Sequence, residues 1–96
     1  MTLRFDWDPR KDAANESKHG VSFEEAATVF RDEQALQFYD PDHSDADDRF
    51  ILLGLSAKLR MVVVCHCFRE NEEVVRIISA RKANRIETTT YWRSWS

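Results

Sequence analysis

Lys18, His19, Arg49, Arg76 and Arg81 are the side chains whose types and spacing could act on an anion, with Glu87 and Tyr91 beside them. Arg76 and Arg81 stand five apart near the end of a strand-like run. A guanidinium presents a planar fork of donors that matches phosphate oxygens. The same arginines could instead pair with Glu72, Glu73 or Glu87 at the surface. Lys18 and His19 directly precede Gly20. An imidazole titrates near neutrality and can serve as acid or base. Equally, the pair could donate to the last carbonyls of a helix, whose C-terminal end attracts positive charge. Arg49 follows an acidic run and either grips phosphate or holds that run through Asp47 or Asp48. Glu87 and Tyr91 share one face of a helix. They offer a base and a hydroxyl donor, or a bridge to Arg81 and an intrahelical contact.

Other clusters invite chemistry less. Cys65-His66-Cys67 looks like a metal run, but on a strand His66 points away from both thiols. Core packing is the better reading. His43, with Asp40, Asp42 and Asp45, could hold a divalent cation weakly. The loop lacks the glycine that an EF-hand turn needs, so a solvated loop is preferred. Trp7, Trp92 and Trp95 could stack on bases, although core or partner contact is the usual role of tryptophan.

These side chains need elements to position them. Leu3, Phe5 and Trp7 alternate with polar residues, as in a short strand. Asp8-Pro9 starts a helix that runs to about Lys18 and stops at Gly20. Ser22-Phe23-Glu24-Glu25 reads as a capping box, with Val21 stapled against Ala26. Phe23, Ala26, Ala27 and Phe30 then give a second helix its buried face, so two helices occupy residues 9–32. Leu36 and Phe38 mark a strand, and residues 40–49 an acidic loop. Apolar runs Phe50–Leu55, Met61–Phe68 and Val74–Ala80 follow, joined by connections short enough for antiparallel neighbours. In a regular final strand, Ser79 faces away from Arg76. Residues 82–95 read as a closing helix with Ala83, Ile86 and Thr90 inward, although Thr88-Thr89-Thr90 disfavours it. The expected fold class is α+β: an antiparallel sheet of about four strands, two N-terminal helices and a C-terminal helix.

Ninety-six residues suit one domain, taken as 1–96, with 43% apolar and 32% charged side chains. No apolar run approaches the roughly 20 residues of a membrane span, and the N-terminus lacks a signal-peptide hydrophobic region. A cytoplasmic location without membrane contact is therefore expected. The two cysteines fit a reducing compartment. A net charge of −3 makes the chain no obvious nucleic-acid binder. Yet residues 76–96 carry Arg76, Arg81, Lys82, Arg85 and Arg93 against Glu87, and fields at a site depend on nearby charges.

Several strings, in order along nearly the whole chain, resemble the BrnT toxin family. They are Phe5-Asp6-Trp7-Asp8-Pro9 with Lys11; Asn15 and Lys18-His19-Gly20-Val21-Ser22-Phe23; Ala26-Ala27 with Val29-Phe30 and Asp32; Arg49-Phe50 with Leu53-Gly54; Arg76-Ile77-Ile78-Ser79-Ala80-Arg81-Lys82-Ala83; and Glu87 with Tyr91. The resemblance implies a RelE-like fold and metal-independent ribonuclease activity needing no cofactor. It also implies neutralisation by a BrnA-like antitoxin, through which alone the complex would touch operator DNA. The acidic middle and the trailing Trp92 and Trp95 depart from the family pattern. On that reading Lys18, His19, Arg49, Arg76 and Arg81 face the RNA phosphate, with Glu87 and Tyr91 in support. The rival is a non-catalytic module that holds a partner peptide by strand addition. The acidic charge and the want of an obvious carboxylate–histidine pair favour that rival.

Overall fold

The computed structural model describes residues 3–43 and 47–95. Its elements are β1 (Arg4–Asp6), α1 (Pro9–His19), α2 (Phe23–Thr28), β2 (Leu36–Asp40), β3 (Arg49–Leu55), β4 (Met61–Arg69), β5 (Val74–Lys82) and α3 (Arg85–Arg93). Short 3-10 turns follow α2 and β2. Asp45 of the expected acidic loop lies outside the described residues.

The strands form one five-stranded sheet in the order β1-β5-β4-β3-β2. The expected antiparallel pairing holds for β2 to β5. The sheet is nevertheless mixed, with one strand more than expected, because β1 joins β5 in parallel. A parallel partner needs a long crossover rather than a hairpin, and everything from α1 to β4 serves as that crossover. The pairing is short, Arg4 to Val74 through Asp6 to Arg76, so the second half of β5 has β4 on one side and no strand on the side where β1 ends.

A side chain from α1 covers that gap. Asn15 is buried and donates to the carbonyls of Val21 and Ala80, each at 2.8 Å. Its Oδ1 accepts from the Ala80 N–H at 3.1 Å. One carboxamide thus satisfies both backbone groups of Ala80, as a neighbouring strand would. It also pins the C-terminal end of α1 against the edge of β5.

The helix signals act largely as read. Asp8 caps α1, and Gly20 ends it in the left-handed conformation at φ 72°. Ser22 accepts from the Glu25 N–H, but the second half of that capping box does not form, because the Glu25 carboxylate turns elsewhere. It accepts from Ser56 Oγ at 2.7 Å and from the Arg60 guanidinium, which also donates to the Gly20 carbonyl. The complete box sits instead on α3, between Asn84 and Glu87. That cap sets the phase of α3: Tyr91 is buried, and Ile86, expected inward, is exposed. The hydroxyls of Thr88 and Thr90 bond back to the carbonyls of Asn84 and Ile86, which accommodates them in the helix.

Two apolar clusters flank the sheet. Val21, Phe23, Ala26 and Val29 pack on Leu52, Val62, Val64, Val75, Ile77 and Ala80. On the other face Leu53, Val63 and Tyr91 gather Ile51, Leu55, Met61 and Ala83. His66 belongs to the first face, within reach of Phe30, Phe50 and Phe68, and burial holds its ring below the ordinary histidine value.

Candidate active site

A register shift in β5 shapes the site. Cys65 pairs with Ser79, but His66 pairs with Ile77, so Ile78 is an unpaired bulge. Val75 and Ile77 enter the first core before the bulge and Ala80 enters it afterwards. Without the extra residue the alternation would put Arg76 and Arg81 on opposite faces. With it, Arg76, Ser79 and Arg81 all project from the second face. The expectation that Ser79 faces away from Arg76 fails for this reason.

On that face lies an open cleft of about 280 Å³. Its polar lining comprises His19, Asp40, His43, Arg49, Ser79 and Arg81, over a floor that includes Ile51, Val63 and Cys65. Every one of the long strands and the end of α1 contributes. Asp40 and Arg49 are cross-strand partners at the start of the β2–β3 pair. The 3-10 turn after β2 brings His43 back over Asp40, with Nδ1 2.9 Å from the carboxylate. The sequence places these two in a stretch that reads as a solvated acidic loop, without an obvious carboxylate–histidine pair. Their spacing of three residues, straddling the strand end, was the available clue.

Arg81 is held rather than free. Its Nη1 and Nη2 donate to the two carboxylate oxygens of Glu87, both at 2.8 Å. Glu87 Oε1 also accepts from the Asn84 N–H that opens α3. The Arg81 guanidinium keeps Glu87 below the ordinary carboxylate range, against the opposing effect of burial. With both oxygens engaged, Glu87 is placed to orient Arg81 rather than to accept a proton. Cys65 forms a hydrogen bond with Ser79, and burial raises its thiol above the usual value while the Arg49 charge pulls it down.

The remaining expected residues lie elsewhere. Arg76 donates to Asp6 at 2.7 Å, a pair created by the β1–β5 register and not among the partners anticipated for it. Lys18 is exposed and does not line the cleft. Tyr91 is fully buried, and its hydroxyl donates to Asp32 at 2.7 Å. Desolvation, reinforced by that carboxylate, pushes the phenol up to about 12. It is a structural tie and no donor for the cleft. Asp47 pairs with Arg69 at 3.5 Å and Asp48 accepts from Tyr39 at 3.2 Å. Cys65 lies at the cleft floor while His66 packs on the other side of the sheet. Among the described residues no three His, Cys, Asp or Glu side chains are arranged to hold one ion. None of the described helices is long and apolar enough to cross a membrane.

Comparison with known proteins agrees with this architecture. The crystal structure of the Brucella abortus ribonuclease toxin BrnT superposes with a TM-score of 0.67 at 26% identity, covering 88% of this chain and all (100%) of that one. No match was found among curated proteins. The family model for the ribonuclease toxin BrnT of type II toxin–antitoxin systems matches residues 7–87, from the entry to α1 through the Arg81–Glu87 clamp. The chain therefore belongs to the BrnT family of ribonuclease toxins, and membership of a type II system implies an antitoxin partner.

Proposed function

We propose that this protein is a metal-independent endoribonuclease whose cleft grips the RNA backbone between Arg49 and Arg81, with His19 beside them. The observation that carries this reading is the convergence of these three side chains on one open cleft. Cleavage of this kind uses the ribose 2′-hydroxyl as nucleophile on the adjacent phosphorus. It needs cations for the phosphate charge, a proton acceptor and a proton donor. Arg81, fixed by Glu87, supplies oriented charge at no reorganisation cost. Lys18 and Arg76, outside the cleft, extend the basic surface along the RNA. Tyr91 supports the site only by seating α3.

A BrnA-like antitoxin would silence the toxin by covering this cleft, and operator DNA would be reached only through that partner. Translation arrest would follow from loss of mRNA. The reading includes one domain over 1–96, a RelE-like fold and a cytoplasmic location. A second reading, a module that only holds a partner peptide, draws on edge strand β2, where Phe38 and Tyr39 are exposed.

Purified protein incubated with mixed-sequence RNA in excess EDTA separates the two. The enzyme reading predicts cutting that leaves 2′,3′-cyclic phosphate ends, reduced about 10²–10³-fold in Arg81→Ala. Intact RNA with the wild-type protein, or undiminished cutting by Arg81→Ala, would contradict it.

A further inference from the structure

We infer that His43, oriented by Asp40, is the proton acceptor of the cleavage reaction and that His19 is its proton-donating counterpart. This rests on the ribonuclease reading above and deepens it.

The cleft wall includes both histidines. His19 comes from the end of α1, and His43 from the 3-10 turn after β2. Both residues line the same cleft as Arg49 and Arg81. His43 Nδ1 lies 2.9 Å from Asp40 Oδ2, and the Asp40 side chain is only 12% exposed while that of His43 is 65% exposed. A mostly buried carboxylate therefore fixes the tautomer of an accessible ring. With Nδ1–H committed to Asp40, Nε2 is the nitrogen left to face substrate. A carboxylate placed this way orients an imidazole and stabilises the imidazolium it becomes on taking up a proton.

Among the described residues no carboxylate hydrogen-bonds to His19, which stands at the C-terminal end of α1 and lines the same cleft. The proton balance closes without any further reagent. Nε2 of His43 removes the 2′-hydroxyl proton, and the 2′-oxygen bonds to phosphorus. The bond from phosphorus to the 5′-oxygen then breaks. The leaving oxygen takes a proton from His19, giving a 2′,3′-cyclic phosphate and a 5′-hydroxyl. Among the described residues, Asp40, Arg49, Arg81, His19 and Cys65 are the titratable or charged residues that line the cleft with His43.

The test measures kcat and KM against pH on mixed-sequence RNA in EDTA, for wild type, His43→Ala, Asp40→Asn and Arg81→Ala. The exposed position of His43 lets its replacement leave the fold intact, checked by the thermal midpoint. Wild type should give a bell-shaped profile. His43→Ala should lose about 10²–10⁴-fold in kcat with KM little changed, and should lose the acid limb. Free imidazole should restore part of that activity, which a merely structural role would not allow. Asp40→Asn should lose less and displace the same limb. If His43→Ala cuts within about twofold of wild type with both limbs intact, while Arg81→Ala is inactive, the inference is overturned and the ribonuclease reading stands. If wild type does not cut, both fall together.

Discussion

Two arginine–glutamate clamps use the same forked contact for different ends. Arg60 binds Glu25 of α2 through Nε and Nη2, and Arg81 binds Glu87 of α3 through both Nη atoms. The Glu25 carboxylate is almost fully buried, at 1% exposed, and shares itself with Ser56. It ties the β3–β4 turn to the junction of α1 and α2, where Arg60 also reaches the Gly20 carbonyl. The second clamp leaves Arg81 43% exposed at the rim of the cleft. A buried charge that loses its partner is costly to the fold, whereas a half-exposed one is solvated by water. The first clamp therefore belongs to stability, and the second to a positioned cation.

Substitutions should separate these roles. Arg60→Ala strands the Glu25 carboxylate and should lower the denaturant midpoint further than any of the substitutions below. Activity per folded molecule should hold. Arg81→Ala should do the reverse, with its loss in cutting and a thermal midpoint close to wild type. Comparable losses of stability in both variants would erase the distinction. Asn15→Ala tests whether the edge of β5 needs its side-chain substitute. It leaves the N–H and C=O of Ala80 unpaired and should cost roughly 2–4 kcal/mol by chemical denaturation. Glu87→Gln retains the shape of the α3 cap but frees Arg81, so kcat/KM should fall about tenfold with little change in stability. A full-rate Glu87→Gln enzyme would show that Arg81 needs no orientation.

Tyr91→Phe should have the smallest effect, about 1 kcal/mol, and none on cutting. Its pH dependence is specific. The folded-state phenol titrates above the unfolded one, so its contribution is complete below the ordinary tyrosine value of 10 and is lost as pH rises through about 12. The variant should lack that alkaline decline.

Much of the frame was legible along the chain. Asp8-Pro9, Gly20 and Ser22 delimit α1 and start α2 because caps and left-handed turns depend on local residue type. Alternation at Leu36 and Phe38 marked β2, and the apolar runs located β3 to β5 to within a residue or two. The bulge at Ile78 left no mark, since one added residue in an apolar run changes no composition. It alone decides that Arg76 and Arg81 share a face. The parallel β1–β5 pairing, and with it the Asp6–Arg76 ion pair, depends on contacts 70 residues apart. Ile86 was misplaced because the Asn84 cap, not the apolar pattern, sets the phase of α3. Asp40 and His43 were hidden by their acidic neighbours, whose charge density suggested water on every side.

The central claim is that one cleft grips the phosphodiester backbone. An NMR titration with a 2′-deoxy-oligonucleotide, which lacks the attacking hydroxyl and is not turned over, tests it directly. Shifts should concentrate at His19, His43, Arg49, Ser79 and Arg81, with Glu25 and Arg60 unmoved. Saturable binding that leaves the cleft residues unperturbed and maps to another surface would contradict it.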